Sequence, residues 1–162
     1  MESFDVIIIG AGPAGLKCAE TLGNSNKKVL VLERNSKIGS KPCGGLMTTQ
    51  GINYLKQDVG AEKFNHVFMN VADKKNKIDI RKNPLYTINR IDLGQFQVTK
   101  LNKFQNIVIR KDSPVKKIEK NYVVVHDKKI KFDYLVGADG SSSMVRRYLK
   151  VKTNKVGVAF YS

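Results

Sequence analysis

Residues 4–15 read FDVIIIGAGPAG, a continuous apolar run that ends in three glycines separated by one and two residues. The β-branched run without polar alternation predicts a strand that is buried on both faces. A helix is predicted over residues 13–22, because proline suits a first helical turn and Gly23 can end the helix. One face of that helix carries Gly15, Cys18, Ala19 and Leu22. The stretch therefore predicts a strand, a tight turn and a helix, the opening unit of an α/β fold.

The three glycines form the pattern G-x-G-x-x-G, and each has its own physical role. Gly10 permits the tight turn, Gly12 lets the backbone approach a pyrophosphate, and Gly15 allows the helix to pack on the strand. Free N–H groups at the start of the helix attract the anion. Glu33 ends the next predicted strand, and its carboxylate can accept hydrogen bonds from both ribose hydroxyls of an adenosine. The alternative is a plain turn with a surface glutamate; the flanking strand and helix favour a dinucleotide site.

The rest of the chain continues the alternation of strands and helices. A second buried strand is predicted at 28–34, a short helix at 48–57 and a longer helix at 92–103. Alternating segments between Val67 and Ile88, with turns at Asp73–Asn76 and Asn83–Pro84, predict a subsidiary antiparallel sheet. Further strands are predicted at 106–110, 115–119, 122–126, 129–132, 134–137 and 156–162. Together these elements predict an α/β fold with a mostly parallel sheet, residues 4–9 as an interior strand, and an antiparallel meander over 115–132.

The charge and composition exclude some classes of protein. The chain has 29 basic and 14 acidic residues, a formal net charge of +15. Only six of the basic residues are arginines and the lysines are spread along the chain, which argues against nucleic-acid binding and leaves a weak attraction to acidic partners or an anionic membrane surface. No apolar run approaches the roughly 18 residues of a membrane span. With two cysteines and no basic segment before the first apolar run, the expected location is the cytoplasm.

Three further motifs narrow the choice of dinucleotide. KPCGGL occupies residues 41–46, Arg90 lies within INRIDLGQF (88–96), and DYLVGADGSSSMVRR occupies residues 133–147. Together with the glycine pattern they resemble the flavoprotein class that includes aromatic hydroxylases and geranylgeranyl reductases. The KPCGGL segment is more similar to the geranylgeranyl reductase family than to the hydroxylases. The resemblance extends from Phe4 to about Tyr148.

The resemblance implies a Rossmann-like FAD-binding domain over residues 1–162, with a partial antiparallel substrate sheet inserted at about 66–90. Ala14, Glu33 and Arg34 would face the adenosine diphosphate, and Val115 would offer backbone groups to the adenine. Asp139 and Gly140 would lie over the middle of the cofactor. The implied cofactor-binding residues are Gly10, Gly12, Pro13, Ala14, Gly15, Glu33, Arg34, Lys41, Cys43, Gly44, Leu46, Arg90, Val115, Asp139 and Gly140.

The segment 139–147 and Cys43 each allow more than one interpretation, whereas Cys18 allows one. Ser141 or Ser142 can cap the following helix, and Arg146 can pair with Asp139 or with phosphates; the alternative is a simple turn with solvated arginines. Cys18 fits a small buried apolar residue. Cys43, which Lys41 could favour as a thiolate, either shapes the flavin face or takes part in proton or hydride chemistry. The histidine, cysteine and carboxylate spacing indicates no metal site.

Two classes of function follow. The first is an FAD-dependent reductase that takes electrons from NAD(P)H or ferredoxin and delivers hydride to an alkene such as a prenyl lipid chain, with a flavin-dependent monooxygenase as a variant. The second is a non-catalytic FAD- or nucleotide-binding module. Members of the geranylgeranyl reductase family are longer, and their C-terminal half is expected to be absent from this chain. A truncated chain, a naturally short or split protein, and a partner chain that supplies the missing half are the three explanations.

Overall fold

Eleven strands and four helices form the part of the chain that the computed structural model describes, residues 1–71 and 74–153. The strands are β1 (Glu2–Ile9), β2 (Val29–Leu32), β3 (Leu46–Thr48), β4 (Glu62–Phe64), β5 (His66–Val71), β6 (Lys74–Asp79), β7 (Leu85–Thr87), β8 (Ile107–Arg110), β9 (Val115–Ile118), β10 (Tyr122–Val125) and β11 (Lys128–Gly137). The helices are α1 (Pro13–Leu22), α2 (Thr49–Leu55), α3 (Arg90–Leu101) and α4 (Met144–Tyr148).

The main sheet has six strands in the order β8-β2-β1-β11-β10-β9. The first four are parallel to one another, whereas β10 and β9 run antiparallel and form a meander with β11. The predicted α/β fold with a mostly parallel sheet is therefore confirmed, and β1 is an interior strand. Its position also explains the continuous apolar run in the sequence, because a strand between two parallel neighbours is covered on both faces.

The core lies on the two faces of this sheet. Alternate residues of β1 point in opposite directions, so that Ile7 and Ile9 pack towards the meander while Val6 and Ile8 pack towards α1. Ala19, which belongs to the predicted apolar face of α1, is buried in the second of these clusters, and so is Leu16, which the sequence pattern did not assign to that face. Cys18 is half-buried beside them, and burial raises the pKa of its thiol.

Two small antiparallel sheets stand apart from the main one, where the sequence predicted a single sheet between Val67 and Ile88. One has the order β3-β7-β4, and the other is the hairpin β5-β6. The expected turn at Asp73–Asn76 is also wrong, because Lys74–Asn76 belong to β6 and pair with β5. Lysines and an asparagine at these positions obscure the strand pattern, and the pairing across the hairpin decides it.

Strand β11 is longer than the sequence predicted. Residues 129–132 and 134–137 were expected to form two strands, but Lys128–Gly137 is one strand of 10 residues. Its first part pairs with β10 on one side, and residues 130–137 pair with β1 on the other. Asp133 is exposed between the two segments and does not interrupt the ladder. The strand expected at 156–162 lies outside the described residues. None of the described helices has both the length and the apolar character that crossing a membrane requires.

Candidate functional site

The glycine turn lies where the carboxyl ends of three parallel strands meet. The Gly10 N–H donates to the Leu32 carbonyl at 2.8 Å, and the Ala138 N–H donates to the Ile9 carbonyl at 2.8 Å. Gly10 has φ of +102°, and a Cβ atom there would lie 2.4 Å from the Ala138 carbonyl oxygen. Only glycine can adopt this backbone in this space without strain. Hydrogen bonds therefore hold the turn at the end of β1 against the ends of β2 and β11, at one edge of the sheet.

Helix α1 begins at this turn and has an uncapped N-terminus. Gly12 is the N-cap, Pro13 occupies the first turn, no side chain caps the helix within the described residues, and the first turn has no acidic residue. A Cβ atom on Gly12 would meet no atom within 4 Å, so the space above the helix start is open. The first N–H groups of a helix have no intrahelical acceptor and carry a partial positive charge. Gly12, Pro13 and Ala14 thus surround a space suited to an anion.

Glu33 follows β2 and is 9% exposed. One carboxylate oxygen accepts a hydrogen bond from the Ala11 N–H at 2.9 Å, and the other accepts one from the Asn35 N–H at 2.9 Å. Each oxygen keeps capacity for a further donor. The carboxylate therefore fixes the glycine turn against the end of β2 and can still accept hydroxyl groups from a ligand.

The strand β9 starts close to Glu33. The Ser113 N–H donates to the Glu33 carbonyl at 2.8 Å, which places Val115, the first residue of β9, near the end of β2. Arg34 is exposed beside it. Sequence reasoning did not identify Ser113, which is 6% exposed, or the N–H groups of Ala11 and Asn35. The Ser113-Pro114 pair between two strands was the available signal for a fixed turn.

A second group of predicted residues lines a cavity of about 390 Å³. The loop 39–44, which contains Lys41, Cys43 and Gly44, forms one wall, and residues 87–91 form the other. Gly39 and Gly45 hold the two ends of the loop against this second wall, because Cβ atoms on them would lie 2.2 Å from the Arg90 carbonyl oxygen and 2.1 Å from the Ile88 carbonyl oxygen. Leu46 begins β3 next to the cavity and is largely exposed.

Arg90 is the first residue of α3 and leaves one buried atom without a partner. Asn89 caps the helix by accepting a hydrogen bond from the Ile91 N–H at 2.9 Å, and the helix begins two residues before the predicted start at residue 92. The Nε atom of Arg90 is buried and has no hydrogen-bond partner among the described residues. Unpaired buried donors are costly, so this atom is a natural site for an acceptor from a ligand.

Asp139 occupies the turn between β11 and α4. Its carboxylate accepts hydrogen bonds from the Ser143 hydroxyl at 2.6 Å and from the Met144 N–H at 2.5 Å, and Ser143 caps α4 by accepting from the Arg146 N–H at 2.9 Å. The cap expected at Ser141 or Ser142 is thus formed by Ser143. Among the described ion pairs there is none between Arg146 and Asp139, because the serine and the helix N–H groups take the carboxylate.

The hydrogen bonds at Asp139 make a contribution to the stability of the fold that depends on pH. Burial by itself would raise the pKa of Asp139, but the bonds from Ser143, Met144 and Val145 outweigh it and lower the pKa below its ordinary value. A lowered pKa stabilises the fold above the unfolded pKa, and this contribution is lost as the pH falls through the folded pKa. We expect Asp139→Ala to cost about 1–2 kcal/mol at neutral pH, as loss of a helix cap does, and less below about pH 4.

Urea denaturation at a series of pH values measures the effect. Asp133→Ala is the matched control, because Asp133 is an exposed aspartate in β11, the strand that leads into the turn at Asp139. A cost for Asp139→Ala that stays constant down to pH 2, or one equal to that of Asp133→Ala, would contradict the capping role.

A family model described as pyridine nucleotide-disulphide oxidoreductase matches residues 4–158. An uncharacterized protein of Methanosarcina barkeri is 26% identical over 165 residues, covering 93% of this chain and 41% of that protein.

Two solved structures have similar folds. The p-nitrophenol 4-monooxygenase PnpA of Pseudomonas putida superposes with a TM-score of 0.72 at 21% identity, covering 90% of this chain and 43% of PnpA. A geranylgeranyl bacteriochlorophyll reductase-like protein of Thermoplasma acidophilum gives a TM-score of 0.69 at 20% identity, covering 86% of this chain and 40% of that protein. The chain spans less than half the length of each of these relatives.

Proposed function

The chain belongs to the pyridine nucleotide-disulphide oxidoreductase family, and from that premise we propose that it is the FAD-binding region of a flavin-dependent oxidoreductase. The observation that carries the proposal is the glycine turn held by the Glu33 carboxylate at the carboxyl ends of parallel strands. Ligands of open α/β sheets bind at this edge. The proposal takes residues 1–162 as one FAD-binding unit, with the segment 66–90 on its substrate side.

The adenosine diphosphate part of FAD fits a first group of residues, those at the glycine turn, at the start of α1 and at Glu33. The open space above Gly12 and the uncapped start of α1 suit the two phosphates. Glu33 keeps capacity to accept the ribose hydroxyls. In this proposal Ala14 contacts the phosphates, Arg34 lies beside the adenosine, and the backbone of Val115 contacts the adenine.

The flavin part fits the second group, the residues that line the cavity of about 390 Å³. Arg90 is one of the residues that line the cavity between the loop 39–44 and residues 87–91, and its buried Nε lacks an acceptor among the described residues. Flavin and ribityl oxygens are acceptors of the required kind. In the proposal Lys41, Cys43, Gly44 and Leu46 line this side, while Gly140 lies between the two groups. Bound FAD supplies hydride transfer, and the protein binds it, orients it and excludes water.

For the reaction we propose hydride delivery to a carbon–carbon double bond, such as one in a prenyl chain. The KPCGGL motif supports this choice, as does the similarity to the geranylgeranyl bacteriochlorophyll reductase-like protein. Cys43 would then shape the flavin face or carry a proton, and NAD(P)H or ferredoxin would supply electrons. A partner chain would complete the substrate pocket, and the net charge of +15 suits contact with an anionic membrane surface.

A flavin-dependent monooxygenase is the second candidate, and the similarity to PnpA favours it. Product analysis distinguishes the two, because a reductase saturates a double bond whereas a monooxygenase adds oxygen to its substrate. A non-catalytic FAD-binding module would give neither product while it retained the cofactor.

The first test uses Arg90. We expect Arg90→Met to weaken FAD binding about tenfold and to leave ADP binding unchanged, because Arg90 lies in the cavity assigned to the flavin part and away from the glycine turn. Quenching of flavin fluorescence measures FAD affinity, and calorimetric titration measures ADP affinity. Arg81→Met is the control, since Arg81 pairs with Asp79 on the exposed hairpin. Failure of the folded wild-type chain to bind either ligand would refute the proposed function.

A further inference from the structure

Another cavity lies between α3 and β8, the strand at one edge of the main sheet. Its volume is about 400 Å³, and small-molecule sites have volumes of roughly 300–1,000 Å³. Six of the residues that line it are apolar: Ile38, Val98, Leu101, Phe104, Ile107 and Ile109. It shares no lining residue with the cavity between the loop 39–44 and residues 87–91. The two cavities are therefore separate sites on the molecule.

The spacing of the apolar residues explains the two walls of this cavity. On α3, Val98 and Leu101 are three residues apart and share one face of the helix. On β8, Ile107 and Ile109 alternate with exposed or paired residues and point to one side of the sheet. Both isoleucines pack against the cluster that contains Leu101. The helix and the strand thus present apolar side chains to the same space.

The protein itself covers this apolar surface incompletely. Ile38 and Leu101 are each 3% exposed, whereas the other four apolar side chains are only partly buried. No described strand pairs with the outer edge of β8. Phe104 already lies against Gly23, since a Cβ atom built there would be 2.5 Å from its ring. Apolar surface in contact with water costs roughly 25 cal/mol per Å², so a ligand that covers these side chains gains free energy.

The polar part of the lining favours a negative charge. It consists of Gln95, Asn102 and Lys111, and no acidic residue of the described chain lines the cavity. Lys111 takes part in none of the ion pairs of the described residues. The sequence neighbours of the lining residues include one acid, Asp112, and four basic residues, Lys37, Lys100, Lys103 and Arg110. An apolar ligand with one anionic group complements this lining in both respects.

We propose that this cavity binds a small amphipathic carboxylate, an apolar chain that ends in one carboxyl group. The chain covers the partly buried side chains between α3 and β8, and the carboxylate lies at the polar part of the lining with Lys111. The inference goes beyond the proposed function and does not depend on it, because none of the residues assigned to FAD lines this cavity. A neutral alcohol of the same chain length keeps the apolar contacts and loses the attraction to Lys111.

The experiment compares octanoate with 1-octanol by calorimetric titration of the folded 162-residue chain. We expect octanoate to bind more tightly. Lys111→Met should weaken octanoate binding about fivefold at low salt, the upper range for an exposed ion pair, and leave octanol binding unchanged. About 0.5 M salt should reduce the preference for octanoate, because exposed charges are screened. Lys111→Arg should retain it. Lys120→Met is the matched control, since it removes the same charge from an exposed position at the opposite edge of the main sheet.

Val98→Phe tests the apolar part of the site. The larger ring occupies part of the space that the chain needs, so both ligands should bind about tenfold more weakly. Circular dichroism checks that this variant is folded, and if it is not, Lys111→Met carries the test alone. Octanoate should leave the affinity for ADP unchanged, because the cavity does not include the glycine turn.

Four results would overturn the inference. They are the absence of saturable octanoate binding, equal affinities for octanoate and octanol, octanoate binding that a folded Val98→Phe variant does not weaken, and competition between octanoate and ADP. A wild-type dimer in sedimentation experiments that Val98→Phe dissociates would also overturn it, because a second copy of the chain would then occupy the cavity. None of these results decides whether the chain binds FAD, which the titrations of Arg90→Met test separately.

Discussion

Replacement of Gly15 by alanine is expected to lower the free energy of unfolding by about 3–5 kcal/mol, at the upper end for a single substitution. The added Cβ atom would lie 1.9 Å from the Gly10 carbonyl oxygen and 3.2 Å from the Ala138 side chain. Neither neighbour can move easily, because Gly10 and Ala138 are both held by hydrogen bonds to adjacent strands. Helix α1 would have to separate from β1, which exposes part of the cluster around Leu16 and Ala19.

Gly12→Ala provides the matched control, because it adds the same methyl group three residues earlier. Nothing lies within 4 Å of that Cβ position, so its cost should be about 1 kcal/mol or less. The same methyl group would occupy the space assigned to the phosphates, and ADP affinity should therefore fall. Urea denaturation followed by circular dichroism measures the stabilities. Equal stability of the two variants would show that α1 does not depend on the close contact at Gly15.

The strand, glycine turn and first helix could be predicted because local signals define them. The continuous apolar run requires cover on both faces, Pro13 and Gly23 mark the helix ends, and Pro13–Leu22 is the helix that the structure has. The placement of Glu33 near the turn followed from the same spacing. Its two hydrogen bonds to Ala11 and Asn35 could not be predicted, because they depend on how the turn folds back on β2.

Other parts of the fold and of the site depend on contacts between residues that are distant in the sequence. The strands Leu46–Thr48 and Glu62–Phe64 have three residues each, too few for an alternating pattern, and exist because both pair with Leu85–Thr87. The cavity beside Cys43 arises in the same way, since two segments about 45 residues apart form its walls. At Asp139 the helix cap was missed because three consecutive serines follow it, and the sequence does not show which of them faces the carboxylate.

Glu33→Ala is expected to weaken adenosine and ADP binding by about 3 kcal/mol, or roughly 150-fold, because about two charge-assisted hydrogen bonds to the ribose are lost. The substitution also leaves the Ala11 and Asn35 N–H groups without their acceptor, which should destabilise the fold by about 1–3 kcal/mol. Glu119→Ala is the control, since it removes a surface carboxylate paired with Lys117. Affinities are measured by calorimetric titration under conditions where each variant is folded.

The two consequences of Glu33→Ala can be separated by changing the ligand. If the carboxylate binds the ribose hydroxyls, the wild-type chain should prefer adenosine to 2′,3′-dideoxyadenosine, and Glu33→Ala should lose that preference. A carboxylate that only supports the turn through Ala11 and Asn35 would affect both nucleosides equally, and both proteins would show the same ratio of affinities. The loss of stability affects the binding of both nucleosides equally and therefore cancels from the ratio of their affinities. The change in this ratio between the two proteins then measures the direct contact between the Glu33 carboxylate and the ribose hydroxyls.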